Sequence, residues 1–226
     1  MERLPSSATS GADPRIPPGT RKDIGLVNSA IARLLGAAAG GGPPNVFTTL
    51  ARHRGLYRKW LLFAGGLMPG GVLPRTDSEL LILRVAHNTG CGYERNHHER
   101  IARASGLTAE QVQRVRQGPD AGGWSLRQGL LLRAADQLHT THTISDGLWQ
   151  QLRPLCRDVE LIELCMLVGH YEMLAMTLNA LGTAPDAVPT EPPRTIRVLR
   201  SLATRRPGAA RQTKKRTTRQ RERKYP

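Results

Sequence analysis

Between Thr89 and Arg103 the chain reads TGCGYERNHHERIAR, which sets a thiol, a carboxylate and two imidazoles within eight residues. Cys91, Glu94 and His98 are the side-chain types of nucleophilic and acid–base chemistry. On a helix that turns about 100° per residue, Glu94 lies about 60° and His98 about 20° around the axis from Cys91, so the three share a face. Helical side chains lean toward the N-terminus, which brings His98 back over Glu94. Ile101 and Ala102 continue that face into apolar residues, so the group is expected to point into the protein.

Cys91 at a helix start is expected to feel the free N–H groups and the helix dipole, which lower a thiol pKa. Glu94 opposes this, and a Glu94–His98 pair raises the imidazole pKa. The spacing leaves the net sign open. Each residue also has a plainer reading. Cys91 can be a structural helix-start cysteine and His98 a satisfied core histidine. Glu79 can be the last member of a capping box begun by Thr76. His97, about 100° around from His98, is expected in solvent or at an interface. Cys91, Glu94 and His98 are mixed metal ligands, but no second CxxC or HxxxH completes a site. His139 and His142 form an HxxH across an expected helix end. No metal and no cofactor is expected.

These residues must be positioned by helices. Ile24–Ala38 has near-helical apolar spacing. GGGPPN breaks it, and Asn45 is placed to cap a helix from Val46 to about Ala64, bent near Gly55. GGLMPGGVLP reads as a loop. Five helical segments follow. Thr76–Glu79 opens the first in capping-box form, and Cys91–Ser105 ends at Gly106. Thr108–Gln111 is a second box, and Ser125–His139 comes next. Ser145 opens another helix, with Ile144 and Trp149 placed as a staple. The last helix, about Val159–Leu181, stops at Gly182. No segment alternates with period two, so the domain is expected to be all-α.

Composition fits this. The chain has 226 residues, enough for one sizeable core, and only 4% aromatics. The formal charge of +15 is uneven: residues 194–226 hold 13 Lys+Arg and one acid, while the rest carries 20 basic and 17 acidic residues. Residues 1–22 read as a flexible Pro/Ser/Gly-rich arm, 23–186 as the helical domain and 187–226 as a linker and disordered basic tail. No membrane segment or secretory signal is read, and three cysteines suggest no disulfide framework, so a cytoplasmic setting is expected.

The run SELLILRVAHNTGCGYERNHHERIARASGLTAEQV, with Glu79 twelve residues before Cys91 and His98 seven after it, resembles the carboxymuconolactone decarboxylase family, which includes the alkylhydroperoxidase D-like proteins. THTISDGLW and ELCMLVGHYEMLAMTLNALG are similar to it too. The resemblance implies an alkylhydroperoxidase D-like helical bundle, assembled as trimers or hexamers. It also implies a peroxidase cycle in which a CxxC and a histidine work with an upstream glutamate in a proton relay. Cys91 takes the first cysteine position, and Glu94 stands at the second, so no local disulfide can form. One reading is then a one-cysteine, peroxiredoxin-like activity. Cys91 attacks a hydroperoxide, Glu79 and His98 move the proton, and an external thiol reduces the sulfenic acid. Cys156 and Cys165 are not evident resolving partners. The alternative is acid–base decarboxylation of a small carboxylated lactone by His98 with Glu79 or Glu94, and Arg84 or Arg95 holding the carboxylate. A third reading has no catalysis and uses the basic tail to bind nucleic acid. The tail's single aromatic, Tyr225, makes this the least favoured.

Overall fold

The computed structural model describes residues 13–38 and 41–186. Nine α-helices run in the order α1 (Arg21–Ala38), α2 (Asn45–Leu50), α3 (Arg54–Leu67), α4 (Arg75–Asn88), α5 (Gly92–Ala104), α6 (Ala109–Arg114), α7 (Leu126–Thr141), α8 (Asp146–Leu152) and α9 (Asp158–Leu181), with a 3-10 turn at Val115–Gln117 and no strand among the described residues. The all-α expectation holds.

The ends of the helices follow local chemistry. Thr108 and Ser125 each accept from the backbone N–H three residues on, and Gln111 and Gln128 reach back in true capping boxes. Gly182 closes α9 in the left-handed region, where a side chain is strained. Gly25 sits at φ 81° and breaks the first turn of α1. The freed carbonyls of Lys22 and Asp23 are taken by the Arg54 guanidinium at 2.9 and 3.1 Å.

Three helix starts differ from the sequence expectation. The segment expected as one helix bent at Gly55 is two helices, broken at residues 51–53, with His53 capping α3. Asn45 is the first residue of α2 and not its cap, and its side chain donates to the carbonyls of Ala184 and Pro185. Thr76 caps nothing: α4 starts from an extended Pro74, which puts Thr76 inside the first turn and leaves Glu79 free for other work.

Helix α4 is the centre. Leu80, Leu81, Ile82, Leu83, Val85 and Ala86 are all buried, and α5, α7 and α9 pack around them. Burial on every side explains why this helix has no apolar stripe. Fully burying one such leucine or isoleucine stabilises by roughly 1.5–3 kcal/mol. A second apolar cluster of Leu107, Val112, Val115 and Leu132 seats α6 and the 3-10 turn against α4 and α7. Helix α9 passes as a membrane span on length and composition, yet more than half of that stretch is buried inside the domain.

Residues 13–22, expected as part of a flexible arm, lie against the domain. Arg15 donates its backbone N–H to Leu181 O at 2.9 Å, Gly19 donates to Thr48 O at 3.1 Å, and α1 already begins at Arg21. The rest of the arm, residues 1–12, and the basic tail expectation at 187–226 lie outside the described residues. At the other end, Asp186 ties the chain back. It accepts from Asn45 N and from the Tyr93 hydroxyl, both at 2.6 Å, and Tyr93 O in turn accepts from Val46 N at 3.1 Å.

Candidate active site

His98 is the hub. Glu79 comes from the buried second turn of α4, and its Oε2 lies 2.7 Å from His98 Nδ1. Glu94 and His98 stand four residues apart on α5, and Glu94 Oε2 lies 3.3 Å from His98 Nε2. Each ring nitrogen therefore faces a carboxylate. A neutral imidazole has one donor; only the imidazolium can serve both. Burial alone lowers the pKa of His98, but the two carboxylates outweigh it and push the imidazole up to about 9. The Tyr171 ring stands edge-on to His98 with centroids 5.2 Å apart.

Arg75, one turn before Glu79, sets its Nη2 3.0 Å from Glu79 Oε1. That contact has ion-pair distance without hydrogen-bond alignment, since Oε1 has no hydrogen-bond partner. Glu79 is fully buried, and Glu94 and His98 are nearly so; the Arg75 side chain, 38% exposed, carries this group to the surface.

Cys91 is the N-cap residue of α5 and is fully buried. The helix start does not decide the sign of its thiol pKa, which the spacing left open. Burial pushes it up to about 11, and the Glu94 charge adds to the rise. The backbone amides of Glu94 and Tyr93 and the charge of Arg95 act the other way, without forming a cap hydrogen bond, and lose. At neutral pH the sulfur is a thiol.

The other candidates sort plainly. Arg84 is unavailable to a substrate: its guanidinium grips Asp136 through Nε at 2.6 Å and Nη2 at 3.0 Å and also donates to Val115 O. His97 is half-buried and stacks on Tyr93, with Nδ1 3.9 Å from Asp186, rather than standing in solvent. Burial holds its pKa low. Cys156 and Cys165 are free, like Cys91, and burial raises both thiols. Cys156 Sγ lies 3.1 Å from Arg127, which also pairs with Asp77 and Glu160. Among the described residues no cluster of three His, Cys, Asp or Glu side chains could hold a metal. His139 pairs with Glu172 at 2.7 Å instead.

Sequence reasoning missed Arg75 and Tyr171. The i,i+4 spacing of Arg75 to Glu79 was a usable signal. Tyr171, inside the apolar run of α9, carried none beyond the polar pair His170–Tyr171.

The helical bundle agrees with comparison to known proteins. Residues 54–136, from α3 into α7, match the carboxymuconolactone decarboxylase family. None of the curated proteins matches the chain. Among solved structures, an uncharacterized peroxidase-related protein from Ralstonia eutropha JMP134, described as an alkylhydroperoxidase AhpD core, is 20% identical with a TM-score of 0.68 and covers 77% of this chain and 94% of its own. A peroxidase-related protein from Silicibacter sp. TM1040 is 16% identical, with a TM-score of 0.68 and coverages of 78% and 96%. The debrominase Bmp8 is 15% identical, with a TM-score of 0.66 and coverages of 77% and 93%. These likenesses establish an alkylhydroperoxidase D-like fold.

Proposed function

We propose that the chain is an enzyme of small-molecule proton transfer in which the His98 imidazolium is the general acid. The observation that carries this is the double clamp: both ring nitrogens of one buried histidine face carboxylates. Such a group holds a proton at neutral pH and has two neighbours ready to re-supply it. Decarboxylation of a small carboxylated lactone fits this chemistry. The C–C bond to the departing carboxylate breaks, its electron pair moves into the lactone π-system as a dienolate, and CO₂ leaves. His98 then donates its proton to the carbanionic carbon and is reprotonated by solvent through Glu79 or Glu94. Arg75, at the exposed edge, is the cation placed to receive the substrate carboxylate.

The alternative is peroxiredoxin-like turnover at Cys91. It is supported by the position of Cys91 at the head of α5, with two amides and Arg95 favouring the thiolate. It needs substrate binding to overcome the burial that keeps the sulfur protonated. The fold is host to more than one chemistry: the debrominase neighbour was also crystallised as a Cys-to-Ala variant in complex with 2,3,4-tribromopyrrole. In either reading the reacting partner is a small molecule. Peroxidase turnover adds an external thiol, and assembly into trimers or hexamers is what the family resemblance implies. Nucleic-acid binding rests on residues 194–226 alone.

Cys91→Ser and His98→Gln decide between them. With a carboxylated lactone as substrate, Cys91→Ser is expected to keep activity within about threefold while His98→Gln loses at least a hundredfold. Hydroperoxide reduction by wild type that vanishes in Cys91→Ser, with no lactone turnover, would sink the acid–base reading.

A further inference from the structure

Helix α9 is apolar on both faces. Its inner face fills the core with Leu161, Leu164, Val168, Tyr171 and Leu178. Its outer face from residue 159 to 176 exposes Val159, Ile162, Met166, Gly169, Met173 and Met176, five turns without one charged side chain. Helices that are hydrophobic all round are buried in the finished molecule. The patch widens at its flanks. Phe63 sets its ring edge-on to His170, and Val72 donates its N–H to Glu163. Phe63, Val72 and the five larger α9 residues are 41–61% exposed. Together they offer on the order of 700 Å² per copy, near the roughly 800 Å² per partner of a stable complex.

The pattern identifies the occupant. About Gly169 the stripe is nearly its own reverse: Ile162 and Met176 lie seven residues to either side, and Met166 and Met173 three and four. A Cβ at Gly169 would meet nothing within 4 Å, so the middle of the stripe is its lowest point and lets another helix approach. A surface that reads the same in both directions matches itself across a two-fold axis. Its lack of acidic residues gives the basic 194–226 segment nothing to bind. We infer that this face binds a second copy of the chain, with two α9 helices antiparallel and crossing at Gly169.

The pairing has a further consequence. Met176 also lines a cleft of about 390 Å³ with His139, His142 and Glu172. The two-fold sets Ile162 of the partner subunit against Met176, at the mouth of that cleft. Each copy thus walls the other's His139–Glu172 pair.

The geometry is open to a cross-linking test on the full chain. Helix axes 8–10 Å apart with Cα atoms at a radius of about 2.3 Å leave facing Cα atoms about 4–5 Å apart, within disulfide reach. Gly169→Cys is therefore expected to give a disulfide-linked dimer in high yield under mild oxidation. Val159→Cys gives none, since ten residues from the axis in each copy separates the pair by roughly 30 Å. Sedimentation equilibrium is expected to show an even multiple of the 24.8 kDa chain. Met166→Glu and Met173→Glu, both exposed, should halve that mass while keeping the helical circular dichroism. A wild-type monomer at 50 µM, an odd-numbered assembly, cross-linking through Val159→Cys, or a monomer that instead floats with anionic lipid vesicles would each overturn the pairing.

Discussion

Replacing Glu79 by Gln removes one of the two charges that keep His98 protonated while leaving an amide oxygen to accept from Nδ1–H. The distance from an ordinary 6.5 to about 9 corresponds to about 3 kcal/mol of preference for the imidazolium, after burial has exacted its share. Glu79 is the nearer carboxylate, at 2.7 Å against 3.3 Å for Glu94. A unit charge about 4 Å away at an effective dielectric near 20 is worth about 4 kcal/mol, and Arg75 on the other oxygen offsets part of it. A loss of roughly 2–3 kcal/mol is expected, which brings His98 down by about two pH units. Long-range ¹H–¹⁵N NMR of the histidine side chains reads this directly, with His98→Gln assigning the signal. Stability gives the sign. A folded pKa raised above the unfolded one contributes stability that is complete below about 6.5 and is lost as pH rises through about 9. The urea midpoint of wild type should therefore fall over that window, and that of Glu79→Gln should stay nearly flat. A His98 that still titrates near 9 without Glu79 would refute the clamp.

Cys91 should react with iodoacetamide at pH 7.5 at least a hundredfold more slowly than in the urea-unfolded chain, with a rate that climbs toward pH 11; peptide mapping that finds Cys91 the fastest thiol at neutral pH would contradict its burial. Arg127→Met should cost about 3–5 kcal/mol in urea unfolding, because it strands the nearly buried carboxylate of Asp77 and leaves Glu160 with Arg157 alone; a cost under 1 kcal/mol would show that the Asp77 charge finds water instead.

The sequence was most legible where physics is local. The Thr108–Gln111 box, the helix start at Ser125 and the stop at Gly182 are set by contacts within four residues, and these expectations held. The 94–98 pair was legible for the same reason, since i,i+4 spacing on one helix fixes it. Glu79 is nineteen residues from His98, and its place came from family resemblance; by local rules alone it looked like a cap. The Arg84–Asp136 grip spans 52 residues, so nothing near Arg84 announced that its guanidinium was engaged. Cys91 shows the limit most clearly. Its helix-start position was correct, but the sign of its pKa depends on how completely α4, α5 and α9 exclude water, which no window of sequence contains.

The Asp186 contact bears on where the chain can be cut. A fragment ending at Gly182 would keep every helix yet lose the carboxylate that holds the α2 amide and the Tyr93 hydroxyl. Tyr93 would then surrender an anchor one residue before Glu94, and the turn that carries one of the two carboxylates facing His98 would loosen. The smallest fragment that keeps this site intact therefore runs through Asp186, and four residues with no regular structure set its border.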